Sequence, residues 1–197
     1  MMPVTTVILA GGSGSRIGGD KGLQLLHGKA LLDWVLDVIG KQSDEVLISA
    51  NSGHESYVRN GRRTIADLTS GKRGPLAGLQ SALLHARHDS VACVPCDTPF
   101  LPDDLIARLS ASARGDAAVA VVEGQRQPAI ALYHKRVLPE LNAYLDAGGR
   151  KVHAWLDTLQ VNEVVFDNAA AFTNINSSQE LLLANQVQQQ KAHHVHP

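Results

Sequence analysis

Short apolar runs that alternate with helical patterns constrain the fold of this chain more than any other feature. Such runs predict strands at VTTVILA, EVLISAN, RRTIAD, SVACVPCD, AAVAVVEG, QPAIALYH and VNEVVFD. A polar turn, GQRQ, lies between the fifth run and the sixth. Strands that alternate with helices predict an α/β fold, a single Rossmann-like and mostly parallel sheet with helices on both faces.

Apolar residues at helical spacing predict the helices of this fold. They lie at residues 30–42, 75–87, 103–114, 137–149 and 150–160, and a last helix begins at Ser177. The 197 residues suffice for one domain with a sizeable core, which we expect to span residues 1–190. Residues 191–197, KAHHVHP, carry three histidines and are expected to be a mobile polar tail rather than a metal site.

Charge and hydropathy exclude several classes of function. The formal net charge is −1, which argues against a general nucleic-acid binder. No apolar run approaches the roughly 18 residues that cross a bilayer, and the N-terminus lacks the basic region of a signal peptide. We therefore expect a cytoplasmic protein that has neither a nucleic acid nor a membrane as its partner.

Polar residues follow the predicted strands at their carboxyl ends. They are the segment Gly11–Lys21 after the first strand, Asn51 after the second, Asp67 after the third and Asp97 after the fourth. Ligands of open parallel sheets bind outside the carboxyl ends of the strands, so these residues are the candidates for chemistry.

The stretch LAGGSGSRIGGDKGL (residues 9–23) has the composition of a phosphate-binding loop. It matches neither standard motif, because Ile17 stands where a dinucleotide fingerprint needs glycine and Asp20 precedes Lys21 where a Walker A loop needs glycine. Glycines nevertheless let backbone N–H groups approach phosphates, and Arg16 and Lys21 supply positive charge. The alternative is an ordinary glycine-rich turn.

Cys93 and Cys96 form a C-x-x-C pair in ACVPCDTP. A redox pair or half a zinc site is conceivable, but prolines bracket this strand end and the chain has no second cysteine pair. We expect two small residues at the end of a buried strand.

The glycine-rich stretch resembles the signature of nucleotidyltransferases that activate small molecules, and its LAGG and DKGL are similar to those of molybdenum cofactor guanylyltransferases (the MobA family). Further family-like segments follow in family order: GPLAGL, PCDTPFLP, QPAIALY and FTNINSSQEL. The resemblance implies a fold like that of nucleotide-diphospho-sugar transferases. It implies transfer of GMP from GTP to molybdopterin bearing molybdenum, with release of diphosphate and with Mg²⁺ as the metal.

The resemblance also implies roles for individual residues. Catalysis is expected of Arg16, Lys21 and Asp97, with Asp97 as the metal ligand. GTP binding is expected of Leu9, Ala10, Gly11, Gly12, Lys21, Ser49, Asn51, Asp67 and Asp97. Contacts with the pterin substrate are expected of Arg150, Lys151, Asn174 and Asn176.

Each role has a structural alternative. Asp97 could cap a turn, the two asparagines could cap the helix ahead of SSQEL, and Arg150 with Lys151 could be a solvated helix start. The family commonly has a nucleotide-contacting asparagine where this chain has Ser49. Either Ser49 replaces this contact with the nucleotide through its hydroxyl or its backbone, or Asn51 makes a larger share of the nucleotide contacts.

Two rival functions share these motifs. One is a cytidylyltransferase acting on molybdopterin or another phosphorylated small molecule, although such relatives more often begin LAAG. The other is a non-catalytic nucleotide-binding regulator, against which the intact Arg16, Lys21 and Asp97 argue. We expect a monomer, and the resemblance implies transient contacts with proteins of molybdenum cofactor synthesis or with recipient molybdoenzymes.

Overall fold

The computed structural model describes residues 2–10, 20–51, 63–68, 74–177 and 179–183. Within these ranges the strands are β1 (Val4–Leu9), β2 (Leu25–Leu26), β3 (Lys29–Ala30), β4 (Glu45–Ser49), β5 (Arg63–Ile65), β6 (Ser90–Pro95), β7 (Ala117–Val122), β8 (Gln125–His134) and β9 (Val161–Phe166). The helices are α1 (Leu31–Ile39), α2 (Pro75–His85), α3 (Leu105–Ser112), α4 (Leu138–Asp146) and α5 (Val152–Leu156). The predicted tail at 191–197 lies outside the described residues.

The main sheet has the order β5-β4-β1-β6-β8-β7-β9 among the described strands. Strand β1 lies between β4 and β6 and is parallel to both, and β5 and β9 are parallel to their neighbours. Strand β8 alone in this order runs antiparallel to the strands beside it. The prediction of a mostly parallel sheet is confirmed.

Helices cover both faces of the sheet, as predicted. Helices α1 and α3 pack on one face in a cluster that includes Ile8 of β1, whereas α2, α4 and α5 pack on the other in a cluster that includes Val7. Successive residues of a strand point to opposite faces, and β1, including its Thr5 and Thr6, is buried almost throughout because helices cover both of its faces.

The turn between β7 and β8 differs from the prediction. It is formed by Glu123 and Gly124, which both have positive φ, 50° and 73°, and Gln125 already pairs with Val122 in β8. Two central residues of positive φ are what a two-residue hairpin of right-handed twist requires. The predicted turn GQRQ was therefore wrong by two residues, since its QRQ belongs to the strand.

Several helices are shorter than predicted. Helix α4 ends at Asp146, because Gly148 has φ +86° in the turn that follows, and α5 ends at Leu156 rather than at residue 160. The two-stranded ribbon β2–β3 was not predicted from the sequence. Within the described ranges, every helix is too short or too polar to span a bilayer.

The carboxyl ends of four parallel strands meet at one edge of the sheet. Their pairing continues one residue beyond the strands: Ala10 N donates to Ser49 O at 2.8 Å, Ala50 N to Ile65 O at 3.0 Å, and Cys96 N to Leu9 O at 3.1 Å. This edge therefore aligns the residues that follow β1, β4, β5 and β6.

Candidate active site

Asp97 lies directly after β6, where the backbone leaves the sheet. Its carbonyl accepts a hydrogen bond of 2.9 Å from Ile175 N, which holds residues 173–176 beside the end of β6. We refer to residues 173–176 as the TNIN segment. Asp97 is only 6% exposed, so its carboxylate sits in an enclosed position rather than on a solvated turn.

Lys21 supplies the charge opposite Asp97. It begins a short 3₁₀ helix, Lys21–Leu23, and its Nζ contacts Asp97 Oδ2 and donates to Asn176 Oδ1 at 2.6 Å. The structure thus brings together three residues that the sequence predicted for the site. We call them the Lys21–Asp97–Asn176 cluster.

One carboxylate oxygen of the cluster has no hydrogen-bond partner among the described residues. This oxygen is Asp97 Oδ1, which is buried. A buried carboxylate oxygen without a partner is costly, so this atom is poised for a ligand that brings positive charge.

No group of three or more His, Cys, Asp or Glu side chains that could hold a metal occurs in the described ranges. One carboxylate suffices for Mg²⁺, which is bound by one or two carboxylates together with substrate phosphates and waters. The residues present therefore fit Mg²⁺.

The TNIN segment is held from both sides. Thr98, which is fully buried, donates from Oγ1 to Asn174 Oδ1 at 2.6 Å. On the other side, Glu180 Oε2 accepts from Ser177 N at 3.1 Å, and Ser177 Oγ accepts from Glu180 N at 3.1 Å. This S-x-x-E arrangement is a capping box for the helical residues 179–183.

Neither asparagine of the TNIN segment caps that helix through its side chain, since the side chains of Asn174 and Asn176 contact Thr98 and Lys21. Sequence reasoning missed Thr98, Ser177 and Glu180. The spacing of SSQE could have revealed the capping box, whereas nothing local pointed to the contact of Thr98.

Asn51 and Asp67 face each other at the rim beyond β4 and β5. Asn51 Nδ2 donates to Asp67 Oδ2 at 2.8 Å, and Asp67 N donates to Asn51 Oδ1 at 2.9 Å. The parallel pairing of Ser49 with Ile65 sets this register. The two residues predicted at the nucleotide base are therefore one hydrogen-bonded pair.

Ser49 lies under α2 rather than at the rim. It is 3% exposed, and a Cβ placed on Gly78 would stand 2.6 Å from Ser49 Oγ and 2.7 Å from a methyl carbon of Leu9. Gly78 thus permits α2 to approach β1 and β4 closely, a contact that sequence reasoning missed although a glycine inside a helical pattern is a signal for it. The backbone of Ser49 still contributes to the site's edge, since its carbonyl accepts from Ala10 N.

Arg150 and Lys151 lie in the turn between α4 and α5. Arg150 Nη1 donates to Leu145 O at 2.8 Å and also to Gly149 O, so the guanidinium caps the end of α4. Lys151 is exposed, and its carbonyl accepts from the hydroxyl of Tyr144 at 3.1 Å. In the described residues no hydrogen bond or ion pair joins either side chain to the Lys21–Asp97–Asn176 cluster.

The predicted phosphate loop is described only at its two ends. Leu9 and the buried Ala10 precede it and Lys21 follows it, while Gly11, Gly12 and Arg16 lie outside the described residues. The described residues on its two sides belong to the end of β1 and to the cluster.

Cys93 and Cys96 are free and buried, as the sequence predicted for small residues at a strand end. Burial raises the pKa of each thiol to about 12. At neutral pH both are protonated and unreactive, because the thiolate is the nucleophile and the metal ligand. Two buried, protonated thiols are what the expectation of small residues at the end of a buried strand requires.

We expect the two thiols to make the protein less stable above pH 9. The unfolded chain releases their protons near pH 9, whereas the folded chain keeps them to about pH 12. The contribution of the protonated thiols to the free energy of unfolding is therefore fully present below pH 9 and is lost as the pH rises. The free energy of unfolding is expected to fall by about 1.4 kcal/mol per pH unit for each thiol. Urea unfolding at pH 8.5 and 10.5 measures it. A Cys93→Ala/Cys96→Ala variant should have a shallower slope, and an equal slope would contradict the assignment.

Comparison with known proteins decides the family. The family model described as MobA-like NTP transferase domain matches residues 6–161. The chain belongs to this family. A molybdenum cofactor guanylyltransferase from Burkholderia ambifaria is 46% identical over 191 residues, which covers 90% of this chain and 93% of that protein. One from Vibrio cholerae is 41% identical over 179 residues, with 89% and 88% covered.

A solved structure agrees with the sequence relatives of this MobA-like chain. Molybdopterin-guanine dinucleotide biosynthesis protein A from Archaeoglobus fulgidus matches it with a TM-score of 0.80 at 27% identity, covering 94% of this chain and 99% of that one. The family expected from the sequence motifs is confirmed. The MobA-like family match contains Lys21 and Asp97 but ends before the TNIN segment, which tertiary contacts nevertheless place in the same cluster.

Proposed function

We propose that this chain transfers GMP from GTP to molybdopterin carrying molybdenum, yielding the guanine dinucleotide form of the cofactor and diphosphate. The observation that carries the proposal is the buried carboxylate of Asp97, with one unpartnered oxygen, paired with Lys21 at the end of the glycine-rich loop. The 46% identity to a molybdenum cofactor guanylyltransferase supports the substrates.

The reaction needs positioning and charge neutralisation more than a general base. An oxygen of the pterin's terminal phosphate forms a bond to the α-phosphorus of GTP, and the bond from that phosphorus to the diphosphate breaks. The attacking oxygen is already ionised at neutral pH, so no proton has to be removed. Holding the two phosphates in line and stabilising charge on the diphosphate supply the rate enhancement.

The phosphate-binding residues follow from this scheme. Backbone N–H groups of Gly11 and Gly12 and the cations of Arg16 and Lys21 hold the triphosphate of GTP. Asp97 would hold Mg²⁺, with Asn176 as a neighbouring oxygen donor. Mg²⁺ there would supply positive charge that stabilises the diphosphate as it leaves.

The guanine base is proposed to lie against the rim formed by Asn51 and Asp67, with Leu9, Ala10 and Ser49 contributing backbone groups beside it. The pterin substrate is proposed to approach from the TNIN segment, with Asn174 and Asn176 near its phosphate and with Arg150 and Lys151 as further phosphate contacts. Of these pterin contacts, Asn176 has the strongest support because it already adjoins Asp97 through Lys21. Location in the cytoplasm and a monomeric state stay predictions.

The product of the reaction tests the proposal directly. The protein is incubated with molybdenum-bearing molybdopterin, Mg²⁺ and GTP, CTP, ATP or UTP in turn, each labelled at the α-phosphate, and the product is identified by mass spectrometry. We expect the guanine dinucleotide and diphosphate from GTP. A cytosine dinucleotide would assign the rival cytidylyltransferase, and GTP binding without diphosphate release would assign the regulator.

Asp67 is expected to select guanine. Guanine presents two adjacent donors, N1–H and the N2 amino group, and a carboxylate can accept both. Inosine lacks the N2 amino group, so the ratio of transfer rates with GTP and with ITP reports this contact. We expect wild type to favour GTP by roughly tenfold or more, in line with about 1.5–3 kcal/mol for a hydrogen bond to a charged group, and Asp67→Asn to lose most of that preference.

The matched control is Asp37→Asn, a surface change at an aspartate that pairs with Lys29. It should leave the ratio as in wild type. If Asp67→Asn folds and keeps the wild-type ratio, guanine selection belongs to backbone groups of residues 9–12 or to Ser49 and Asn51, and Asp67 merely orders Asn51.

A further inference from the structure

Lys21 occupies Oδ2, one of the two carboxylate oxygens of Asp97 to which a metal ion would bind, and Oδ1 has no partner among the described residues. Its ammonium contacts Asp97 Oδ2 and lies 2.6 Å from Asn176 Oδ1, so both oxygens accept hydrogen bonds from the same cation. A divalent cation that prefers oxygen ligands would find these two atoms already in use, and at Oδ1 it would share the carboxylate with the ammonium. The ammonium therefore stands in for the positive charge that a metal would bring.

Burial explains why this stand-in is needed. The side chains of Asp97 and Lys21 are 8% and 19% exposed. A carboxylate enclosed to this degree requires a partner of opposite charge. In the part of the chain that the structure describes, Lys21 is the cation that pairs with Asp97.

The acceptors are fixed, whereas the ammonium can move. Asp97 directly follows β6 and its carbonyl accepts from Ile175 N of the TNIN segment, and Asn176 precedes the capping box formed by Ser177 and Glu180. Lys21 instead reaches the cluster on a flexible four-carbon stem from the end of the glycine-rich loop. Movement of the ammonium away from Asp97 leaves the two oxygen acceptors in place.

We propose that Lys21 blocks the metal site of the nucleotide-free protein and leaves it for the triphosphate when nucleotide binds, so that stable metal binding follows nucleotide binding. Two cations on one carboxylate repel each other, and the phosphates of a nucleotide attract the ammonium away. The inference rests on the proposed function for the identity of the nucleotide, but its central claim concerns the nucleotide-free protein. A residue already placed at the triphosphate thereby gains a second role, which is to order the binding of the two ligands.

The test measures Mn²⁺ binding to the nucleotide-free protein, by electron paramagnetic resonance of the free ion. Lys21→Met removes the charge at nearly constant length and should tighten Mn²⁺ binding by roughly tenfold or more, a size typical of coupling between sites. Lys21→Arg keeps the charge and should bind as weakly as wild type. Lys29→Met, which removes the cation paired with Asp37, is the matched control and should also bind as wild type does.

The inference would be overturned if Lys21→Met bound Mn²⁺ no more tightly than wild type. It would also be overturned if Lys21→Arg or Lys29→Met tightened Mn²⁺ binding as much as Lys21→Met does. Addition of Asp97→Asn to Lys21→Met should abolish the gain, because the gain depends on that carboxylate. Circular dichroism checks the fold, and Lys21→Gln replaces Lys21→Met if the latter does not fold. No nucleotide or turnover enters the measurement, so its failure is distinct from failure of GMP transfer.

Discussion

Asp97→Asn should lower the rate of GMP transfer by roughly a thousandfold or more while the protein stays folded. The substitution keeps the size of a side chain that is nearly buried at the end of β6 but removes its charge. Loss of the carboxylate removes the ligand proposed for Mg²⁺, an effect of several kcal/mol in the transition state, and about 4 kcal/mol corresponds to this factor. Steady-state rates of diphosphate release from GTP and molybdopterin measure it.

Asp104→Asn is the matched control, since Asp104 is an exposed aspartate that lies 3.9 Å from Arg108 in an ion pair. It should transfer GMP at the wild-type rate. Circular dichroism and thermal unfolding of both variants establish that the fold is kept. Near-normal turnover by a folded Asp97→Asn variant would contradict the metal role and return Asp97 to a turn-forming residue.

Lys21→Met should lower the rate of transfer by roughly a hundredfold to a thousandfold, the range found when one donor to a developing negative charge is removed. Its ammonium is the described cation nearest to Asp97 and stands at the end of the loop that is proposed to bind the triphosphate. The KM for GTP is expected to rise as well, because the same charge binds the ground state. Rates over a range of GTP concentrations separate the two effects.

Arg16→Ala tests the other cation of the loop in the same assay and is expected to show a smaller but clear loss. Lys29→Met is the control, because Lys29 is ion-paired with Asp37 away from the cluster. A surface charge change of this kind should alter the free energy by no more than about 0.5 kcal/mol. Wild-type kinetics in both Lys21→Met and Arg16→Ala would reassign the loop as structural.

The position of a candidate site residue could be predicted wherever one strand end supplies the residue. Asp97, Asn51 and Asp67 each follow a recognisable apolar run, and parallel strands bring such ends to one edge. The adjacency of Asn51 to Asp67 then follows from the pairing of β4 with β5. Lys21 was predicted from the composition of the glycine-rich stretch, before any partner for it was known.

The local signals were weaker at boundaries and at turns. The GQRQ turn was placed two residues too late because polar residues are typical of turns, whereas the backbone twist of a hairpin requires positive φ at Glu123 and Gly124. Ser49 was expected to contact the nucleotide through its hydroxyl or its backbone, and in the structure its hydroxyl lies against Gly78 of α2. Both outcomes depend on the neighbouring strand or helix rather than on the residue itself.

The sequence by itself determined the alternation of strands and helices, the burial of both faces of β1 and the family, because apolar periodicity and motifs are local properties of the chain. Only the tertiary structure decided which distant residues meet. Asp97 lies 76 positions from Lys21, and Asn176 lies 155 positions from it, yet one ammonium contacts both. The antiparallel direction of β8 was likewise decided by pairing with β6 and β7. Such contacts depend on how whole elements pack, which no local pattern in the sequence encodes.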